Sequence, residues 1–201
     1  MSELVAQLST EWHWRDDDED GRTVEGRVIP FNEVATIIER DEVTGNLVKY
    51  QEQFLPGCCS RLEQESKRGT HLRWVKYLLG HDESKLEREI GHMRSIEQRD
   101  DGAYAIFRLF DCDDLRKVRS MLQESYRGLS VAFASKNPQT IDGVVSHRSI
   151  MLAHVAATPA PAYVSAGITA MRGDGPVDLG TPLLDEAREW LEAIKSVHAN
   201  T

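Results

Sequence analysis

"REIGHMRSIEQRDDGAYAIFRLF" (residues 88–110) is the stretch that decides the fold. Two runs in which apolar and polar side chains alternate stand on either side of Asp100-Asp101-Gly102. Alternation with a period of two is the pattern of a half-buried β-strand. The Asp-Gly pair supplies the positive φ angle that a tight hairpin turn requires. The stretch therefore predicts a β-hairpin in a fold built mainly from antiparallel strands.

Strand-like segments continue on both sides of this hairpin. They are rich in β-branched and apolar residues and are bounded by Gly, Pro, Asn or Asp. Residues 137–146 are interpreted as a loop or an irregular hairpin turn. The predicted strands are "TVEGRVIPF" (23–31), "VATIIER" (34–40), the extended segment after the turn at 44–46, "LRWVKYLLGHD" (72–82), "LSVAFAS" (129–135) and "HRSIMLAHVAATPAPA" (147–162), the last interrupted by two prolines.

Three segments predict helices. Residues 58–69 predict a short helix closed by a glycine, and residues 111–128 have acids at the start, apolar residues at helical spacing and a final glycine. Thr181 and Pro182 open an amphipathic stretch as N-cap and first helical residue. We therefore expect a mainly β fold with some α: an antiparallel β-barrel decorated by helices. The expected divisions are an N-terminal arm (1–22), the domain (23–171), a linker (172–180) and a C-terminal amphipathic helix (181–201).

Composition excludes several classes of protein. The 201 residues carry a formal net charge of −9, which disfavours nucleic acid as a partner. No apolar run approaches the roughly 18 residues that a membrane span needs, and the first residues lack the pattern of a secretory signal. Cys58 and Cys59 are adjacent and Cys112 stands alone, which favours reduced thiols in a cytoplasmic setting. Because these cysteines lack metal-ligand spacing, we expect no metal and no cofactor.

Three polar residues lie in or beside apolar strands, where an unsatisfied polar group is costly. Ser130 stands in "YRGLSVAF" (126–133), His81 follows "YLLG", and His154 lies inside "IMLAHVAA". Each residue taken alone is more often structural than functional. Mutual hydrogen bonds would satisfy all three, and an imidazole near a serine could activate its hydroxyl as a nucleophile. Periodicity does not show whether the three residues meet in space.

Five segments, in this order, resemble the phage prohead (capsid maturation) serine proteases of the HK97 type, a family similar in fold to the herpesvirus assemblins. The resemblance covers roughly residues 23–170. The segments are "VEGRVIPFNEV" (24–34), "EQFLPG" (52–57), "LLGHDESKLEREIGHM" (78–93), "YRGLSVAF" (126–133) and "SIMLAHVAATPAPA" (149–162).

The resemblance implies a serine endopeptidase with Ser130 as nucleophile and His81 as general base. His154 stands where many prohead proteases have a carboxylate, and the order His, Ser, His is similar to that of the assemblins, so His154 would be the third triad member. Because both histidines must be neutral in these roles, we expect activity to fall as the pH drops below neutrality. The resemblance identifies no oxyanion-hole residue.

The family also implies partners and a place of action. These are the phage major capsid protein and a scaffold protein or domain, cut inside the assembling prohead in the host cytoplasm, with cleavage of the enzyme's own termini and a possible homodimer. The helix at 111–128 fits either dimerisation or core packing, and the C-terminal helix fits either docking on capsid or scaffold protein or packing on its own barrel. The alternative function is a catalytically silent protease-fold module that binds capsid protein during assembly.

Overall fold

A computed structural model describes residues 20–40, 44–70, 72–80 and 88–172. Eleven strands and two helices lie within these ranges. In chain order they are β1 (Thr23–Pro30), β2 (Ala35–Arg40), β3 (Leu47–Phe54), α1 (Ser60–Lys67), β4 (Lys76–Leu79), β5 (Glu89–Arg99), β6 (Gly102–Leu109), α2 (Leu115–Glu124), β7 (Gly128–Ser135), β8 (Gln139–Ile141), β9 (Val144–His147), β10 (Ile150–Thr158) and β11 (Gly167–Met171).

Seven of these strands close into a barrel in the order β1-β11-β7-β10-β4-β5-β6. The predicted β-barrel with helices is therefore confirmed. Its neighbours pair antiparallel except β10 and β4, which run parallel. A second sheet, which the sequence did not predict, has the order β2-β3-β9-β8, and β3 and β9 are parallel in it.

The hairpin at residues 88–110 is confirmed as β5 and β6, with Arg99 opposite Gly102 at the turn. The expected reason for the glycine was wrong, because none of the residues 100–102 has a positive φ angle. A Cβ atom at Gly102 would lie 2.6 Å from the carbonyl oxygen of Ile29. The glycine therefore allows β6 to approach β1 closely where the barrel closes.

Three other segments differ from their predictions. The strand expected at 72–82 is limited, within the described residues, to Lys76–Leu79, and the chain at 73–75 turns. Residues 137–146 form a hairpin of two short strands, β8 and β9, with Asp142 and Gly143 at positive φ. Strand β11 was not predicted at all, although it lies between β1 and β7 in the barrel.

The core fills the barrel and continues under α1 and α2. Tyr77 of β4 stacks on Phe107 of β6 with ring centroids 4.2 Å apart, and both side chains are fully buried. The α2 helix contributes Leu122, which is also fully buried, so its apolar stripe packs on the core. None of the helices in the described ranges is long and apolar enough to span a membrane.

The predicted arm and C-terminal helix lie almost wholly outside the described residues. At the predicted start of the linker, the backbone N–H of Arg172 still donates to the carbonyl oxygen of Thr23, 2.9 Å away. The ordered barrel therefore reaches this residue. The remainder of the linker and residues 181–201 are not described, so the domain boundaries stay predictions.

Candidate active site

Strand β7 places Ser130 in the barrel wall beside β10. Ser130 is half-buried and lies opposite Ala156, a small and fully buried residue. The start of β7 is tightly fitted, because a Cβ atom on Gly128 would lie 2.6 Å from the ring of Pro161 and 2.7 Å from the carbonyl oxygen of Thr158. The glycine two residues before the serine therefore lets β7 lie directly against the proline-containing turn.

His154 lies on the same face of the barrel wall as Ser130. It is opposite Ala132 on β7 and two residues from Ala156 on β10, and only 4% of its surface is exposed. Paired residues of neighbouring strands share a face, and so do residues two apart on one strand. Ser130 and His154 are thus diagonal neighbours, a relation that separates α-carbons by about 7–8 Å.

His81 lies outside the described residues. The residue before it, Gly80, has a φ angle of +77° and donates its N–H to the carbonyl oxygen of Ala157, 2.9 Å away. Strand β4 pairs with β10 so that Leu78 lies beside Ala156, the residue opposite Ser130. Strand β10 therefore separates the end of β4 from Ser130 on β7. The role of the His81 imidazole beside Ser130 remains a prediction.

A cleft of about 440 Å³ lies between the barrel and the second sheet. It is lined by five consecutive residues of β7, Leu129 to Phe133, which include Ser130. Since strand side chains alternate between faces, five consecutive residues can line one cleft only along the edge of the strand. The opposite wall comes mainly from β2, β3 and β9; the other lining residues are Val28, Ile37, Glu39, Tyr50, Glu52, Ser135, His147, Ala162 and Tyr163.

A second polar group in this cleft was not predicted from the sequence. Nδ1 of His147 lies 2.8 Å from Oγ of Ser135, and Nε2 lies 3.2 Å from a carboxylate oxygen of Glu52. The hydroxyl of Tyr163 donates to the other oxygen of Glu52, 3.0 Å away. Since a carboxylate only accepts, a neutral His147 donates from Nε2 and accepts the hydroxyl hydrogen of Ser135 at Nδ1. The described residues thus contain a complete Ser-His-Glu hydrogen-bond chain.

This chain is enclosed by aromatic rings. Phe133 meets the imidazole of His147 edge-on with centroids 4.9 Å apart, and Phe54 lies 5.3 Å from it. Only 5% of the surface of either Glu52 or His147 is exposed. Ser135 is an odd number of residues from Ser130 and, by strand alternation, its side chain lies on the other face of β7.

The carboxylates make the cleft negatively charged and contribute to the raised pKa values of its two tyrosines. Burial, followed by the charge and hydrogen bond of Glu52, raises the pKa of Tyr163 well above its ordinary value. Burial, together with the charges of Glu52 and Glu39, raises the pKa of Tyr50 to about 12. Both phenols therefore remain neutral hydrogen-bond donors at physiological pH.

The described residues contain no cluster of three or more His, Cys, Asp or Glu side chains that could hold a metal ion. The sulfur atoms of Cys58 and Cys59 lie 3.7 Å apart and are buried. The hydrogen bond between the two thiols, followed by burial, raises the pKa of the Cys59 thiol well above its ordinary value. A buried thiol with a raised pKa is a poor nucleophile.

His147 stands at the start of the strand predicted at 147–162, directly after the segment that was interpreted as a loop or an irregular hairpin turn. "VVSH" (144–147) alternates like a strand, and a histidine at its end before "RS" carries no marker of burial. Its partner Glu52 lies on β3, which pairs with β9 in parallel although about ninety residues separate them in the sequence. No local pattern could have indicated that contact.

The fold and the pairing of β7 with β10 define a class: β-barrel proteins with a serine and a histidine on one face of two neighbouring strands. The chain belongs to the caudovirus prohead serine protease family, whose pattern it matches over residues 10–175. A comparison with curated proteins found no match.

Proposed function

We propose that this protein is the endopeptidase of head maturation, cutting scaffold and major capsid protein precursors and its own termini. Family membership supports a serine protease of the phage prohead. The observation that supports the assignment to particular residues is the diagonal placement of Ser130 and His154 on one face, with Ser130 also lining the cleft between the two sheets.

In this proposal, Ser130 attacks the carbonyl carbon of the scissile peptide bond. His81 takes the hydroxyl proton and returns it to the leaving amine, and water then releases the acyl group by the same route. His154 accepts a hydrogen bond from His81 and fixes its tautomer. Because a neutral imidazole stabilises an imidazolium less than a carboxylate does, we expect slower turnover than in a triad with an acid.

The second candidate is a silent protease-fold module that binds capsid protein. The observation in its favour is His154 itself, which occupies a position where the family resemblance leads one to expect a carboxylate. A module of this kind would bind capsid precursor without cutting it. Its serine would then be a structural residue of β7.

The test is co-expression of the full chain with the major capsid protein precursor of the same phage, followed by intact-protein mass measurement. The variants are Ser130→Ala and its matched control Ser135→Ala, which removes the same hydroxyl from the same strand on the other face. We expect truncated capsid precursor with the parent and with Ser135→Ala, and full-length precursor with Ser130→Ala.

Any other combination of cleavage results contradicts part of the proposal. Truncation that survives Ser130→Ala but disappears in Ser135→Ala would move the nucleophile to the chain of Ser135, His147 and Glu52. Intact precursor in every sample, copurifying with this protein, would identify the silent module.

A further inference from the structure

The described residues that line the cleft beside Ser130 include acidic side chains but neither lysine nor arginine. The acidic side chains are those of Glu39 and Glu52. Glu52 is buried and bonded to His147 and Tyr163, whereas Glu39 is exposed on β2 and accepts a hydrogen bond from Tyr50. With a neutral histidine the lining carries two negative charges, and a cation entering the cleft would be attracted to both.

The apolar part of the lining suits the stem of a long basic side chain. Val28, Ile37, Val131 and Phe133 share the cleft with the carboxylates. Lysine and arginine bury their methylene groups against apolar surface while their charged ends stay near water or an anion. The apolar part of this lining can hold the methylene groups of such a side chain, and the two carboxylates can hold its charged end.

Strand β7 also presents a free edge to the cleft. It pairs with β10 along its whole length, but with β11 only at Gly128, where Leu129 N–H still donates to the carbonyl oxygen of Ala166. From Ser130 onward, no described strand pairs with the other edge of β7. An unpaired edge is a template for an added strand, which main-chain hydrogen bonds hold while pockets select its side chains.

We infer that the cleft binds an extended peptide along the free edge of β7 and selects a segment with a lysine or arginine side chain, which Glu39 and Glu52 hold. This inference rests on the proposed function for its substrate, since the peptide so placed lies beside Ser130. It narrows that substrate to precursor segments with a basic residue close to the scissile bond.

The direct test is peptide binding to the full chain with Ser130→Ala, so that no peptide is cut. The probes are three pools of fluorescein-labelled ten-residue peptides of random small residues with a fixed arginine, norleucine or glutamate at one central position. Fluorescence anisotropy at low salt measures the binding constant of each pool. Because exposed charge pairs contribute up to about 1 kcal/mol, we expect arginine to exceed norleucine by roughly two- to fivefold, with glutamate weakest.

Two further variants show where the preference arises. Adding Glu39→Gln removes the exposed carboxylate and lowers the ratio of arginine to norleucine binding, while Glu52 remains in place. The control, Glu124→Gln, changes the same charge at the exposed end of α2, away from the cleft, and leaves the ratio unchanged. Equal binding of the three pools, or a ratio that Glu39→Gln does not lower, overturns the inference.

Failure of this inference and failure of the proposed function give different results. If binding is selective for arginine and depends on Glu39, but the parent chain cuts no precursor, the inference about the cleft is supported and the proposed protease function is rejected. Serine-dependent cleavage at sites without a nearby basic residue, combined with equal binding of the pools, rejects the cleft and retains the protease.

Discussion

At the scale of single residues, two buried tyrosines differ in what their hydroxyls meet. The hydroxyl of Tyr163 donates to Glu52, whereas the buried hydroxyl of Tyr77 has no hydrogen-bond partner among the described residues. Burying an unsatisfied polar group costs about 1–3 kcal/mol, while a satisfied bond to a charged group contributes a similar amount. Removing the hydroxyl should therefore stabilise the protein at Tyr77 and destabilise it at Tyr163.

We expect Tyr77→Phe to raise the free energy of unfolding by about 1 kcal/mol and Tyr163→Phe to lower it by about 1–3 kcal/mol. Both variants keep the ring, so the stacking of Tyr77 on Phe107 is preserved. Urea unfolding followed by circular dichroism measures both. Tyr104→Phe is the control, because that hydroxyl donates to the exposed Asp101 and should change little. A loss of stability in Tyr77→Phe would contradict this account.

Residue identity singled out part of the candidate site. Ser130 and His154 drew attention because each is a polar residue in an apolar strand, where an unsatisfied polar group is costly, and the family resemblance then implied their roles. Ser135 was overlooked because it ends its strand next to polar residues, and His147 because it begins its predicted strand next to Arg148 and Ser149. The placement of Ser130 and His154 on one face depends on the pairing of β7 with β10, which no single residue reveals.

At the scale of the elements, one carboxylate of α1 makes several of the helix's polar contacts with β5. Glu63 accepts hydrogen bonds from the side chain and the backbone N–H of Gln98, and it pairs with Lys67 one turn along the helix. The hydrogen bond from Lys67, followed by that from Gln98, lowers the pKa of Glu63 below its ordinary value. The folded protein therefore favours the ionised form of this carboxylate.

We expect Glu63→Gln to lower the free energy of unfolding at pH 7 by about 1 kcal/mol. A lowered pKa gives stability that is fully present above the ordinary pKa of 4.5 and is lost as the pH falls through the folded value. The variant should therefore lose less stability than the parent between pH 5 and the acid limit of folding. Urea midpoints across this range measure the slopes, and parallel slopes would contradict the role of Glu63.

Elements were predictable where local pattern and burial agree. Strand β6 alternates and the turn of the hairpin is marked, so the hairpin's existence followed from the sequence even though the reason for Gly102 did not. Strand β11 has only five residues, all half-buried, and therefore lacks the contrast that alternation needs. Leu72 and Val75 are buried although the chain between them turns, which made the strand at β4 appear longer than it is.

At the scale of the whole molecule, the arrangement of two sheets was beyond the reach of the sequence. Closure of the barrel depends on β1 pairing with both β6 and β11, the last strand described. The second sheet joins β3 to β9 across a long stretch of chain. Long-range pairings of this kind leave no local trace, so the cleft that lies between the sheets could not be foreseen.

The chain of Ser135, His147, Glu52 and Tyr163 connects these two bodies. Ser135 belongs to the barrel strand β7, whereas His147 and Glu52 belong to β9 and β3 of the second sheet. Removal of the carboxylate would leave a buried imidazole and a buried phenol without their shared acceptor. We expect Glu52→Ala to lower the free energy of unfolding by about 2–4 kcal/mol.

Glu52→Ala should destabilise the second sheet more than the barrel, because the second sheet is held to the barrel partly through the Glu52 carboxylate. Hydrogen exchange followed by mass spectrometry should show faster exchange in β3 and β9 of Glu52→Ala, with the hairpin of β5 and β6 retaining its protection. Glu97→Ala, at an exposed position on β5, is the control and should leave β3 and β9 unchanged. Equal loss of protection in both sheets would mean that they unfold as one unit, and that Glu52 contributes to stability without joining two separable parts.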